Sequence, residues 1–204
     1  MLKQSFLSVS LYMFLFGLAS NTNALDKVSF LSNPTKVSNF ELSTGTGEIF
    51  TEKELKGNWS LMSIGFTSCP DICPFVLNNL KALSKELYSK HALINDIILV
   101  AVDPARDKPI LKEYVEYFGD NVIGITGSDS ELAPLIESIG ASYSRKSPDA
   151  TGHYMINHTA FAVLVSPEGE VVARINPPIK AKEAAVDIIS MVNSSAQYAQ
   201  NGLQ

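Results

Sequence analysis

The chain has 204 residues and a formal net charge of −5, the size of one domain with a targeting segment. Apolar residues make up 46% of it and charged residues 18%, a composition that fills a hydrophobic core and excludes a disordered chain. The acidic balance argues against a protein that binds nucleic acid or an anionic membrane through charge. Because there are two cysteines and three histidines, any metal or thiol site has few side chains to draw on.

Residues 1–24 are typical of a secretory signal peptide. They carry a single lysine and no acidic residue, and an apolar run over residues 6–19 follows the lysine. This run has the length of a signal sequence and is shorter than the roughly 20 residues of a membrane span. We predict cleavage after Ala24, followed by an exported, periplasmic domain of residues 25–194 and a flexible tail of residues 195–204. The alternative is an uncleaved anchor that attaches the domain to the inner membrane.

Hydrophobic spacing and turn residues predict the elements that follow the signal sequence. In chain order, these are a hairpin over 39–50 with its turn at 45–47, a strand over 59–66, a helix over 75–90, a strand over 96–102, a helix over 109–118, a strand over 121–126, a helix opened by a capping box at 128–131 and ended at 140, an irregular segment over 141–152, two strands over 159–165 and 170–175 joined by a turn at 167–169, and a helix over 181–192.

This alternation of strands and helices predicts an α/β fold with a mixed sheet covered by helices. Both cysteines follow the first long strand, at the start of the connection to a helix. Open α/β sheets place their functional sites at the carboxyl ends of their strands. The cysteine-bearing turn and the late two-strand hairpin together indicate a thioredoxin-like fold.

Cys69 and Cys73 are separated by three residues, one more than in thioredoxin-type redox motifs. On a helix, residues four apart have Cβ atoms about 5–6 Å apart, whereas a disulfide needs about 3.8 Å. A metal ion bridging two sulfurs tolerates the wider spacing better, although the flanking Pro70 and Pro74 allow a tighter turn. If Pro74 opens the helix, Cys73 is the N-cap residue and the helix N-terminus favours its thiolate.

Copper needs a third ligand, and His158 is the favoured candidate. His91 follows a helix in a polar stretch and His153 lies in a polar loop, so both are expected on the surface, whereas His158 stands where the chain enters an apolar strand. Met62 and Met155 are expected in the core. Two thiolates and one imidazole suit three-coordinate Cu(I) and, with an added oxygen, Cu(II), whereas structural zinc normally recruits four protein ligands.

Three separated sequence blocks resemble those of the Sco/SenC family, the copper chaperones of cytochrome c oxidase assembly. The blocks are G-F-T-S-C-P-D-I-C-P at residues 65–74, V-D-P-A-R-D-K-P at residues 102–109, and Y-M-I-N-H-T with the strand after it at residues 154–169. Because the three blocks occur in the family's order, the resemblance is more specific than a C-x-x-x-C motif alone.

The resemblance implies a thioredoxin-like fold that binds one copper ion, as Cu(I) or Cu(II), through Cys69, Cys73 and His158. It also implies a partner, the copper-bearing subunit of cytochrome c oxidase, whose dinuclear centre receives the copper. Other copper carriers and thiol–disulfide proteins are expected as further partners, and nucleic acid is not.

Other residues in the matching blocks are candidates for supporting roles. The resemblance suggests that Asp103, Arg106 and Asp107 support the site or face a partner, and the alternative is a turn stabilised by Asp–Arg pairing. Asp71 either tunes the cysteines or caps the helix. The family usually has Asp before the ligand histidine, where this chain has Asn157, which predicts weaker support of the imidazole or a shifted copper redox balance.

The same cysteines leave other functions open. In a thiol–disulfide oxidoreductase, Cys69 or Cys73 attacks a partner disulfide and the other resolves it, without need of His158. A thiol peroxidase would require an arginine beside the thiolate, for which Arg106 is a loose candidate. The remaining alternative is an exported domain with a structural disulfide.

Overall fold

A computed structural model describes residues 28–89 and 94–201 of the chain. The predicted signal peptide over residues 1–24, and with it the choice between cleavage and anchoring, lies outside the described residues. Within the part of the chain that the structure describes, no helix has the length and apolar character needed to cross a membrane.

Ten strands and five helices make up the described structure. The strands are β1 Val28–Lys36, β2 Glu41–Thr44, β3 Ile49–Thr51, β4 Trp59–Gly65, β5 Ile94–Ala101, β6 Val122–Thr126, β7 Tyr143–Arg145, β8 Ile156–His158, β9 Ala162–Val165 and β10 Glu170–Ile175. The helices are α1 Ile72–Ser89, α2 Pro104–Asp107, α3 Leu111–Phe118, α4 Asp129–Ser138 and α5 Ala181–Asn201.

Eight strands form one mixed sheet in the order β1-β10-β9-β4-β5-β6-β2-β3. The pairs β4–β5 and β5–β6 are parallel, and the other pairings of this sheet are antiparallel. Side chains from α1, α3 and α5 pack on one face and those of α4 on the other. The predicted α/β architecture, a mixed sheet flanked by helices, is therefore confirmed.

The central strands are buried on both faces. Ile97 and Leu99 of β5 belong to the core under α1, whereas Ile98 and Val100 belong to the core on the opposite face, and all four side chains are at most 1% exposed. This two-sided burial explains why the sequence shows a continuous apolar run here and not the alternation of a half-exposed strand.

Most predicted turns and caps are present. The hairpin β2–β3 turns at Gly47, and β9–β10 turns at Gly169, both with positive φ, which glycine adopts without steric cost. The predicted capping box of α4 forms, because the Ser128 hydroxyl accepts from the Glu131 N–H while the Glu131 carboxylate accepts from the Ser128 N–H.

The predicted strand over 159–165 is wrong in one important respect. Within this range only β9, Ala162–Val165, is a strand, and a separate strand, β8, precedes the range and ends at His158. β8 pairs with β7 as a two-stranded sheet of its own, and β7 lies within the segment predicted to be irregular. We call β7–β8 the histidine ribbon. Strands of three residues are too short to give a periodic pattern, so the sequence could not reveal them.

Several element ends also differ from prediction. α1 begins at Ile72, ahead of Pro74, because a proline fits the first turn of a helix, where its missing N–H is not needed. The helix predicted over 109–118 begins at Leu111 and is preceded by the short α2. The last helix continues to Asn201 instead of ending at residue 192. The flexibility of the tail over residues 195–204 stays a prediction.

The unpredicted strand β1 enters the sheet at a defined place. Val28 pairs with Ile175, Ile175 with Ala162, and Ala162 with Ser63. These four residues form one row across four strands, close to the carboxyl end of β4. The first described residue therefore lies at the same end of the sheet as the turn that carries Cys69.

Leu80 of α1 tests the packing of this helix on the sheet. Its side chain is fully buried, so we expect Leu80→Ala to lower the free energy of unfolding by about 2–5 kcal/mol. Tyr88, on the same helix and 72% exposed, is the matched control, and Tyr88→Ala should change the free energy by less than about 0.5 kcal/mol. Urea denaturation followed by circular dichroism measures both, and equal losses would contradict the packing described here.

Candidate metal centre

Cys69 lies in the turn between β4 and α1, and Cys73 lies in the first turn of α1. Cys69 is 8% exposed and Cys73 is 3% exposed, and both are free thiols. The Cys73 N–H, in the first turn of α1, points at Cys69 Sγ at 3.5 Å. The expectation that Cys73 caps the helix is wrong, because the helix begins at Ile72 and Cys73 is its second residue. The positive end of the helix therefore faces the sulfur of Cys69.

His158 completes a cluster with the two cysteines. Its Nε2 lies 3.3 Å from Cys73 Sγ, and the ligand atoms of His158, Cys69 and Cys73 all lie within 4.8 Å of one another. The carbonyl of Thr159 accepts from Nδ1 at 2.8 Å, an arrangement that assigns the ring proton to Nδ1 and leaves the Nε2 lone pair for a metal. The Phe66 ring packs edge-on against the imidazole at 5.9 Å.

Burial shifts the pKa values of Cys73 and His158 in the metal-free protein. It raises the pKa of the Cys73 thiol, and the hydrogen bond with Cys69 and the charge of Asp107 raise it further. Burial lowers the pKa of His158. The expected thiolate at Cys73 is therefore not favoured without a cation. A bound metal ion would supply the missing positive charge, and two sulfurs with one imidazole nitrogen fit a soft ion such as copper.

Asp107 holds the turn that carries Cys69 by hydrogen bonds to Thr67. Its carboxylate is fully buried and accepts from the Thr67 N–H at 2.7 Å and the Thr67 hydroxyl at 2.6 Å. It also accepts from the Asp103 N–H at 2.9 Å. Asp107 therefore has a structural role, which matches the alternative of a stabilised turn. Sequence reasoning missed Thr67, since a threonine two residues before a cysteine carries no signal of its own.

Asp103 and Arg106 connect this turn to the segment that leads into the histidine ribbon. Arg106 forms an ion pair with the buried Asp103 and donates to the Tyr154 carbonyl at 3.0 Å. The Tyr154 hydroxyl donates to Asp103 at 2.8 Å, and the guanidinium lies 3.8 Å from the centre of the Tyr154 ring. Because these contacts occupy Arg106, the thiol peroxidase alternative gains no support.

Within the described residues, no other histidine joins the cluster. His153 is exposed on its loop, and His91 lies outside the described residues. Met62 is fully buried, as predicted for a core residue. Met155 is half-buried and lines a cavity beside the cluster instead of lying wholly in the core.

This cavity has a volume of about 350 Å³ and gives access to the cluster from solvent. Cys69 and His158 line it, together with Asp71 and Asn157, both of which are exposed. The imidazole donates its hydrogen bond to the Thr159 carbonyl, and the expected effect of Asn157 on imidazole support or on the copper redox balance stays a prediction. Cys69 is the sulfur that an incoming ligand meets first.

Gly65 is a further residue of the site that sequence reasoning missed. A Cβ atom at this position would lie 3.1 Å from Cys73 Sγ and 3.2 Å from Leu99 Cδ1, so the glycine leaves room for the sulfur. A glycine at the end of a buried strand often marks such a close approach, so its position in the sequence could have indicated this role.

The SCO1/SenC family model matches residues 30–193. The chain belongs to the SCO1/SenC family. A SCO2-like protein of Rickettsia felis is 40% identical over 133 residues, which cover 64% of each chain. The match therefore spans a little under two thirds of the length of that relative.

Solved Sco structures share the fold. Yeast Sco1 with copper bound superposes with a TM-score of 0.72 and 32% identity, over 79% of this chain and 90% of that one. BsSco, described as having a disulfide switch and as a member of the Sco family of cytochrome c oxidase assembly proteins, gives a TM-score of 0.60 and 27% identity, over 81% and 96%. The predicted thioredoxin-like α/β fold is thereby confirmed.

Gly65→Ala tests the close approach at Cys73. We expect the added methyl to lower the free energy of unfolding by about 1–3 kcal/mol, since the sulfur or Leu99 must shift. The same change in a Cys73→Ala background should cost less, because the nearer obstacle is gone, and the double-mutant cycle isolates the contact. Equal costs in the two backgrounds, measured by urea denaturation, would show that the sulfur does not limit this position.

Proposed function

We propose that this Sco-family protein binds one copper ion through Cys69, Cys73 and His158 and delivers it to the dinuclear copper centre of cytochrome c oxidase during assembly. The observation that carries the proposal is the convergence of the three ligand atoms within 4.8 Å. The family match and the copper-bound structure of yeast Sco1 support it.

The donor set explains how copper is held. Two thiolates and a neutral imidazole favour Cu(I) with three ligands, and an oxygen ligand from the cavity side completes a site for Cu(II). The hydrogen bond from Nδ1 to Thr159 keeps the imidazole in the tautomer that binds metal through Nε2.

Delivery proceeds by exchange of ligands without change in the oxidation state of copper. A sulfur or imidazole of the acceptor approaches through the cavity and replaces Cys69, the cysteine that lines it. As the remaining ligands are replaced in turn, Cys73 takes up a proton again, since burial raises the pKa of this thiol. The net charge of −5 favours an acceptor with a basic patch around its copper ligands.

The proposed setting is the periplasm, reached through the signal sequence over residues 1–24 or with that segment kept as an anchor. An oxidising compartment makes the state of the two thiols important, because copper binding requires both cysteines to be reduced. Other copper carriers and thiol–disulfide proteins are therefore expected partners.

The second candidate is a thiol–disulfide oxidoreductase that acts on partner cysteines. Two free thiols lie next to each other, one of them facing a cavity, and the Cys73 N–H points at Cys69 Sγ. Cys69 would attack a partner disulfide, and Cys73 would release the partner by forming the Cys69–Cys73 disulfide, so that two thiols are oxidised and one partner disulfide is reduced. The disulfide switch described for BsSco favours keeping this candidate.

Copper titration of ligand variants tests the proposed site. We expect the reduced protein to bind about one Cu(I) in competition with a chromogenic chelator, and His158→Ala to lose at least about 100-fold in affinity, more than the loss of a supporting group costs. Cys69→Ser and Cys73→Ser should abolish tight binding and the sulfur-to-Cu(II) charge-transfer bands. His153→Ala, which changes an exposed histidine, is the matched control.

The same variants separate the two functions. If His158→Ala binds copper like the unaltered protein while reduction of a partner disulfide persists, the redox candidate replaces the copper site. Tight copper binding by Cys69→Ser would remove the ligand assignment. Transfer of Cu(I) to the isolated copper domain of the oxidase subunit, followed by the optical spectrum of the acceptor, tests delivery itself.

Copper affinity should fall as the pH falls. Because burial raises the pKa of Cys73, this thiol is protonated at neutral pH and copper must displace the proton. Each displaced proton weakens the apparent affinity about tenfold per pH unit of acidification. Because the pKa of His158 is lowered, the imidazole adds to this dependence only at more acidic pH. An affinity that is constant between pH 6 and 8, measured by chelator competition, would contradict a protonated Cys73.

A further inference from the structure

His158 is carried by an element that stands apart from the main sheet. The histidine ribbon forms its own two-stranded sheet, in which Tyr143 pairs with His158 and Arg145 with Ile156. The cysteines, by contrast, follow a central strand of the eight-stranded sheet. The distance between the imidazole and the sulfurs therefore depends on the side chains that hold the ribbon against the rest of the domain.

Arg145 of β7 makes three hydrogen bonds across this junction. Its Nη1 and Nη2 donate to the two oxygens of the Asp129 carboxylate at 2.8 and 2.9 Å. Nη2 also donates to the Val102 carbonyl at 2.7 Å. A bidentate pair of this kind fixes orientation as well as distance. Val102 directly follows β5, and β5 lies next to β4, the strand that leads to the cysteines. Arg145 therefore ties the histidine ribbon to the part of the sheet that carries the cysteines.

Asp129 also accepts a hydrogen bond from a second side chain of β7, that of Tyr143. The Tyr143 hydroxyl donates to Asp129 Oδ1 at 2.7 Å, and Tyr143 is the residue paired with His158. Asp129 itself is the first residue of α4, beside the capping box of Ser128 and Glu131. One carboxylate on a firmly capped helix thus restrains both ends of the three-residue strand that pairs with the strand of His158.

We propose that Arg145 and Asp129 are positioning residues that hold His158 Nε2 at copper-binding distance from Cys69 and Cys73, and so set how long copper stays bound. The inference rests on the proposed copper function. Arg145 is 31% exposed and Asp129 62% exposed in their side chains, so salt screens this pair more than it would screen a buried one. Ionic strength therefore adjusts the restraint on the ribbon.

Four variants test the restraint: Arg145→Gln, Asp129→Asn, the double variant, and Lys112→Gln. The last breaks an exposed pair with Glu116 on α3, which spans 3.7 Å and lies away from the ribbon, and is the matched control. Three measurements apply to each: the rate of Cu(I) loss to excess chelator, the nitrogen hyperfine coupling in the Cu(II) electron paramagnetic resonance spectrum, and hydrogen exchange of ribbon amides in the metal-free, reduced protein.

We expect Arg145→Gln to speed Cu(I) loss about tenfold, the lower end of what loss of a supporting group costs, and Asp129→Asn about threefold. The double variant should speed copper loss by less than the product of the two factors, because both changes remove the shared Arg145–Asp129 pair. Raising the salt concentration should speed copper loss from the unaltered protein and from Lys112→Gln, but not from Arg145→Gln. In Arg145→Gln, the amides of β7 and β8 should also exchange faster than in the unaltered protein.

The inference is overturned if Arg145→Gln binds and releases copper like the control, with the same hyperfine coupling and the same amide exchange. It is also overturned if the ribbon amides exchange faster while copper loss and the coupling stay unchanged, since the pair would then stabilise the ribbon without positioning the imidazole. Failure of the copper function itself is distinct, because the unaltered protein and His158→Ala would then bind copper equally.

Discussion

The Asp107 carboxylate, fully buried at the carboxyl ends of β4 and β5, is the constraint on which the rest of the site depends. It joins Thr67, two residues before Cys69, to Asp103, which starts the next connection. Leaving these donors unpaired in a buried place would cost about 1–3 kcal/mol each, so the two loops keep one relative position. Asp103 in turn accepts from Tyr154. Asp107 and Asp103 together thereby link the cysteine turn to the segment that leads to the imidazole.

The centre therefore joins parts of unequal rigidity. The sulfurs sit in the turn after β4, a strand hydrogen-bonded on both sides within the large sheet, and in the first turn of α1. The imidazole, by contrast, belongs to a short two-stranded element held by side chains. The proposed delivery of copper requires that the metal be bound firmly and still be released. An arrangement in which one of three ligands is less constrained satisfies both needs, since ligands can be exchanged one at a time without disturbing the core.

The sequence was informative where a pattern extended over many residues or where few side chains could perform the chemistry. The central strands, the four longer helices, the capping box and the convergence of Cys69, Cys73 and His158 were predicted, whereas β1, the longest strand, was not. The histidine ribbon was not, because its three-residue strands have no measurable period. Arg145 and Thr67 were missed for a different reason: their roles depend on partners far along the chain, such as Asp129 and Asp107, and no local spacing reveals which distant carboxylate a side chain meets.

The row of paired residues from Val28 to Ser63 has a consequence for how the domain is oriented. Three strand-to-strand steps separate the two residues, or about 14 Å across the sheet. Val28, the first described residue, therefore lies at the end of the sheet that carries the candidate metal centre. In the proposed anchored form, attachment to a lipid bilayer close to Val28 would keep this centre near the bilayer surface, within short reach of an acceptor embedded in the same bilayer.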